Sequence, residues 1–296
     1  MSATPRDYAD EVERGVARRL WRVLEPYHAV TYFSDESRQA FKDAGLRGFW
    51  MGYFAGRAAP MGAVGPGVVT ATFFGFRHGM VARALPDAWT FASPTDVLTA
   101  RLLGVDRALR RLLGDAVHDP SLAEAAGLAR AAAEASDRAG RPIYSANADL
   151  SWPAEPHLIL WQATTLLREH RGDGHVATLT AAGVDGCESH VSLVAAGALS
   201  RDVLQPNRGW TDEEWDAATA RLVGRGWLGE DGAVTEAGRD ARREIEQRTD
   251  DLALGPWQAL GDDKSERLAD LAAPLVRHIV DDGGFPVPNP IGVPSS

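Results

Sequence analysis

The stretch "RGWLGEDGAVTEAGR", Arg225 to Arg239, decides how this chain is read. Two short runs, around Trp227–Leu228 and Ala233–Val234, flank a turn at Glu230 to Gly232, which is the composition of strand, turn and strand. Upstream, "TDEEWDAATARLVG" has the apolar spacing of a helix from Thr211 to Gly224, and "TEAGRDARREIEQ" opens another downstream. The order is therefore helix, short strand, turn, short strand, helix.

Working outward, every other periodic segment is helical. Residues 8 to 31 carry Val12, Val16, Leu20, Val23 and Leu24 at helical spacing. A helix from about 44 to 59 is stopped by Pro60 and Gly62, and another starts on Ser93 with Pro94 at its first position. "DPSLAEAAGLARAAAEASDRAG" is Ala-rich and ends at Gly140, and "AEPHLILWQATTLLREHRG" ends at Gly172. Near the C-terminus, Leu252, Leu254, Trp257, Leu260, Leu268, Leu271, Leu275 and Ile279 predict two helices around a "GDD" break, packed on the N-terminal helix or on a partner chain.

One ungapped shift of the chain on itself lays Trp50 on Trp161, Arg57 on Arg168, Gly75 on Gly186 and "YFS" from Tyr32 on "IYS" from Ile143. At a larger offset "TARLLG" from Thr99 resembles "TARLVG" from Thr219. These matches divide the chain into two diverged helical repeats, 1–115 and 116–296, the second carrying the strand-bearing segment. The expected fold class is mainly α.

The chain has 296 residues, 45% hydrophobic and 24% charged, which is ordinary for a globular protein. Its lone cysteine, Cys187, excludes an internal disulfide and a Cys-based zinc site and reads as a small buried hydrophobe. "MSATPRDYADEVERG" has no apolar signal region, and no run reaches the length of a membrane span, so a cytoplasmic protein with no membrane partner is expected. The formal charge of −10 opposes general attraction to nucleic acid.

The C-terminal pattern resembles the winged helix of the MarR family, whose chains read helix, "RGL", wing, "LTEAGR", long helix; the likeness covers about 45 residues. Over its whole length the chain resembles an actinobacterial family of double winged-helix-like proteins, through "TLLREHRGDGHVA" and "YFAGRAAPMG…GVVTATFFGF". The MarR resemblance implies a homodimer formed through the terminal helices, and a DNA-binding regulator is one function it suggests. The charges argue otherwise. In a DNA reader the start of the second helix of the motif enters the major groove. Here that start and the wing tip hold Asp212, Glu213, Glu214, Asp216, Glu230 and Asp231, with only Arg221 and Arg225 in support. Six acids against two bases make this copy a scaffold or dimerisation element, and nucleic acid is not the expected partner.

The densest ionisable run is "LREHRGDGHVATL", Leu167 to Leu179. Part of it reads as a junction between two helices: Arg168 and Arg171 at a helix end, Gly172 in the left-handed conformation, Asp173 capping the next helix. That junction needs neither His170 nor His175, and "ESH" at Glu188 to His190 follows to supply further polar groups. The spacing H-x-x-D-x-H matches no strong metal signature, so no metal ligand is assigned and no cofactor is identified.

An apolar counterpart exists. "GFWMGYFAGRAAPMG" and "TATFFGFRHGM" gather Trp50, Tyr53, Phe54, Phe73, Phe76 and His78, with Arg57 among them, more aromatic residues than one helix face requires. If the repeats pack together, this wall faces the Arg168–His175 run. The expected function is binding of a small, apolar or aromatic molecule between the repeats. Its predicted contacts are Arg168, His170, Asp173, His175, Trp50, Tyr53, Phe54, Arg57, Phe73, Phe76 and His78. Two other readings stay open: an enzyme using His170, Asp173 and His175 as acid, base or metal ligands, and the MarR-type regulator. No phosphate loop, dinucleotide fingerprint, Gly-x-Ser-x-Gly elbow or His-Glu-x-x-His motif is present.

Overall fold

A computed structural model describes residues 15–286. The N-terminal helix expected from residue 8 is seen as α1, Val16–Phe33; Val12 lies outside the described residues. There follow α2 (Asp35–Asp43), α3 (Gly48–Ala58) with a 3-10 turn Ala59–Met61, α4 (Pro66–Phe73), α5 (His78–Ala82), α6 (Ala88–Phe91) and α7 (Pro94–Leu113). Ser93 and Asp96 close a reciprocal capping box on α7. The second half holds α8 (Pro120–Glu134), α9 (Pro142–Ala148), α10 (Pro156–Ala181), α11 (Gly186–Ala195), α12 (Arg201–Arg208), α13 (Asp212–Gly224), α14 (Glu236–Leu252), α15 (Gly255–Leu260) and α16 (Asp262–Asp281). The Ala-rich helix α8 ends at Glu134, short of the expected Gly140.

Among the described residues there is no strand. The two expected strands reduce to one antiparallel bridge, Leu228 to Val234, with Gly229 N donating to Ala233 O at 2.9 Å. With so few residues between the turn and Thr235, which caps α14 by accepting from Gly238 N, the ladder has no room to extend. Helices α11, α12 and α13 precede this hairpin, and α11 and α13 pack around Cys187, Val191, Trp215, Ala218, Leu222 and Leu228. Two capping boxes, Asp185 with Glu188 and Thr211 with Glu214, fix the starts of α11 and α13.

Helix α10 is the axis of the molecule, packing on α8, α1, α9 and α14. It corrects the sequence reading of "LREHRGDGHVATL": the run lies within one continuous 26-residue helix and is not a junction. Gly174 is there for close approach. A methyl group at this position would collide with the Arg141 guanidinium, whose Nη1 and Nη2 donate to His170 O and Leu252 O, each at 2.7 Å. Asp173 is a cap, but of a different helix. Its Oδ2 accepts from Ile143 N at 3.0 Å and Tyr144 N at 2.9 Å, satisfying free amides at the start of α9.

The main core joins α1, α7, α8, α10 and α16, with Leu20, Tyr27, Leu109, Leu122, Leu160 and Leu268 fully buried. The expected break in the C-terminal run is Gly261, at φ +86°, between α15 and α16, and α16 lies on α1 of the same chain. A second core gathers α2 to α5 and part of α7 around Phe54, Val69, Val81 and Leu85. No helix among the described residues is long and apolar enough to cross a membrane.

Candidate functional site

The aromatic half, α2 to α5, and the segment α11 to α13 meet at two glycines. A methyl group on Gly75 would press on the His190 ring, and one on Gly186 would strike the carbonyl of Phe74. Phe74 itself holds φ +55°, a conformation uncommon for a side chain of this size, and turns the chain sharply after α4. Arg77 secures the contact, donating its backbone N–H to Arg208 O at 3.0 Å and its Nε to Glu214 Oε1 at 2.7 Å.

Between the two parts lies a cleft of about 520 Å³. One wall is aromatic: Tyr32, Phe33, Phe49, Trp50, Tyr53, Phe73 and Phe76. The other is built from α10, α11, α12 and α14 and carries Arg168, His175, His190, Arg208 and Arg242 among Leu179, Leu193, Val203 and Leu204. The rings of the first wall pack edge to face and tilted, with Trp50 and Phe76 centroids 6.0 Å apart and Tyr53 and Phe76 5.5 Å apart. Arg208 lies over the Phe76 ring at 4.7 Å, so a cation reaches from one wall to the other, while Arg57 lies over Phe73 at 4.1 Å within the aromatic half.

Of the predicted contacts, Trp50, Tyr53, Arg57, Phe73, Phe76, Arg168 and His175 line this cleft. Four do not. His170 and Asp173 are corrected by helical periodicity: on a continuous α10, positions 168, 172, 175, 176 and 179 share the cleft face, which turns 170 and 173 to the opposite side. There His170 stacks edge to face on Tyr144 at 5.3 Å. Phe54 is fully buried behind the aromatic wall, and His78 faces a separate shallow hollow with Nδ1 3.0 Å from Thr70 Oγ1. The acid–base or metal set of His170, Asp173 and His175 thus does not converge. Among the described residues no three His, Cys, Asp or Glu side chains assemble as a metal-ligand set.

Sequence reasoning missed Arg208 and Arg242, and met His190 only as part of "ESH". Both arginines sit in ordinary amphipathic helices, where an arginine reads as solvated surface, and nothing local marks them.

Buried ion pairs back the cleft. Arg57 grips Glu169 with two bonds of 2.8 Å, and Arg168 bonds Glu169 at 2.9 Å and Glu25 at 3.2 Å. Burial works against the charge on Glu169, and Arg57 and Arg168 overcome it, holding this carboxyl well below the usual range. On the α14 side, Glu246 and Asp250 face Arg18, Arg171 and Arg242. Burial keeps the cleft histidines neutral: His175 is pushed down to about 4, and His190 falls well below its ordinary value, helped by Arg208 and Arg242.

Their tautomers follow from their partners. Thr249 donates to Ile245 O, so it accepts from His175 Nδ1 at 2.9 Å and leaves Nε2 as an acceptor. Trp210 Nε1 donates to His190 Nδ1 at 3.1 Å, which puts the His190 proton on Nε2. Behind Tyr32, Thr165 donates to Trp161 O, accepts from His28 Nδ1, and leaves His28 Nε2 to accept from the Tyr32 hydroxyl at 3.0 Å. Cys187 offers no nucleophile, since burial pushes its thiol up to about 12.

Comparison with known proteins gives one match: residues 17–286 fit a family described as a helix-turn-helix family. No curated protein and no solved structure matches the chain significantly.

Proposed function

The chain belongs to this helix-turn-helix family, and from that premise we propose that it is a ligand-binding member, holding a small apolar or aromatic molecule between its aromatic half and its helix-turn-helix module. The observation that carries this reading is the cleft. Its volume of about 520 Å³ suits a small molecule, and it sets an aromatic wall against convergent polar groups. The division into repeats 1–115 and 116–296 enters the same proposal, because the two walls come from the two halves. Native mass spectrometry of protein purified from its own host tests it. A co-bound molecule should appear in the wild type and be lost from Val203→Trp, which fills the cleft without touching an ion pair. A bare chain in both, with no small aromatic raising the melting temperature, sinks the proposal.

Family membership and the order α11–α12–α13–hairpin–α14 favour a second reading, a DNA-binding regulator with α13 in the major groove. The exposed face of α13 opposes it, since it presents Asp212, Glu213 and Asp216, with Glu230 and Asp231 at the hairpin tip. The nearby bases are engaged: Arg221 pairs with Asp185 and Glu188, and Arg225 with Glu188. Binding to random-sequence duplex should be undetectable at about micromolar protein and physiological salt, by mobility shift or anisotropy. Submicromolar binding with a steep salt slope would establish the regulator instead.

A further inference from the structure

Resting on the cleft reading, we infer that the ligand carries an oxyanion, a carboxylate or a phosphate ester, seated where His190, Arg208 and Arg242 converge at the helix-turn-helix end of the cleft. The charge along the cleft is lopsided. Its lining includes Arg57, Arg168, Arg208 and Arg242 with His175 and His190, and no aspartate or glutamate among the described residues. In the middle, the charges of Arg57 and Arg168 are answered from behind by Glu169 and Glu25. Toward the helix-turn-helix end, among the described residues, Glu246 and Asp250 are shared by three guanidiniums, those of Arg18, Arg171 and Arg242. Arg208 adds a further cation there, close enough to His190 to lower its basicity and to feel Arg57 and Arg168.

Arg242 supplies the independent sign. Its side chain is only 3% exposed, its Nη2 is spent on Glu246 at 2.8 Å, and its Nε is buried without a hydrogen-bond partner. A buried donor left unsatisfied costs about 1 to 3 kcal/mol, which an acceptor on a ligand would offset. His190 adds an Nε2–H donor, fixed by Trp210, against Gly75, where only the absence of a side chain leaves room for the ring. Planar guanidiniums and a neutral imidazole N–H match the lone pairs of an oxyanion and have nothing to offer a cation. His175, holding its free lone pair on Nε2, accepts a hydroxyl on the same molecule. The apolar body then lies along Tyr53, Trp50 and Phe76.

These four polar groups come from α10, α11, α12 and α14, so one ligand bridges four helices, among them α11, on which α13 packs. The test uses the full chain and three probes of one shape: naphthyl phosphate, naphthoate and naphthol, titrated by tryptophan fluorescence and calorimetry. At least one anion should bind about tenfold or more tightly than naphthol, and lose that advantage as salt rises. The stronger anion tells carboxylate from phosphate. Arg242→Gln and Arg208→Gln should each bring the anion to within about threefold of naphthol while leaving naphthol unchanged. If Arg242→Gln fails to fold, Arg208→Gln decides. Naphthol binding as tightly as both anions overturns the inference and leaves the cleft reading standing, as does an equal loss of all three probes in the variants. Failure of every probe to bind the wild type overturns both.

Discussion

Asp173 accepts two backbone N–H bonds through the same oxygen, Oδ2, so a proton on Oδ1 leaves the cap of α9 intact. Burial, with Glu169 adding to it, pushes this carboxyl up to about 7. A raised acid stabilises the fold below its unfolded pKa, and that contribution disappears as pH rises through about 7. The buried histidines act the other way. His170 and His175, both held near 4 chiefly by burial, contribute stability above the unfolded value and lose it as pH falls from about 6.5. Wild type should therefore melt lower on acidification, with Asp173 blunting the loss. Asp173→Asn keeps the acceptor and removes the titration, so its loss between about pH 7 and pH 5 should be steeper than that of wild type, by thermal melts. Equal slopes would show that Asp173 is ionised in the fold. His170→Ala removes a ring packed on Tyr144 and should cost about 1 to 3 kcal/mol without altering ligand affinity. His175→Ala should do the reverse, weakening binding of the co-purifying molecule by about tenfold with a smaller effect on melting. The ionisable residues of this run were legible as a cluster; their two destinations were not, because a glycine-rich stretch read as a loop gives no periodicity to sort them.

At the scale of the helix, the two glycines of α10 carry opposite expectations. Gly172 has helical backbone geometry and meets only Glu169 Oε2 at 3.6 Å, an ordinary contact for an added methyl. Gly172→Ala should stabilise by about 0.5 to 1 kcal/mol, because alanine loses less backbone entropy in a helix. Gly174→Ala should destabilise by about 1 to 3 kcal/mol, since the methyl displaces Arg141 from between α10 and the end of α14. Chemical denaturation of the two variants checks this, and a left-handed Gly172 at a helix end would reverse the first sign. The mistaken junction came from reading Gly-Asp-Gly as punctuation, whereas the second glycine answers to Arg141, a residue 33 positions upstream that no local pattern connects to it. The helix-turn-helix segment was easier, because its capping residues, turn and apolar spacing all act within a few residues of one another. Its strands were over-read: the same residues make one bridge, since pairing needs length as well as composition.

Across the whole molecule, the terminal helices settle where their apolar faces go. Leu268, Leu271, Leu275 and Ile279 of α16 are buried, and they are buried within the chain, against α1 and α8. On α1, Leu20, Leu24 and Tyr27 are equally committed to that core. The periodicity that predicted two C-terminal helices allowed either the N-terminal helix or a partner chain as cover, and the intramolecular choice covers the described apolar faces of α1 and α16, the helices through which the MarR resemblance implied a dimer. Among the described residues, what remains exposed is scattered: Phe49, Val68, Phe91, Leu103 and Leu252 are the large apolar residues most open to solvent, and each stands on a different helix. A stable dimer buries roughly 800 Å² on each partner around an apolar centre, which isolated side chains do not supply. A formal charge of −10 adds repulsion between copies. Sedimentation velocity should therefore give a single species at the 31.8 kDa monomer mass across about 1 to 100 µM, unchanged by moderate salt. A dimer persisting at the lowest concentration would require an interface other than the α1 and α16 faces, and would place the second copy on surface that this fold leaves polar.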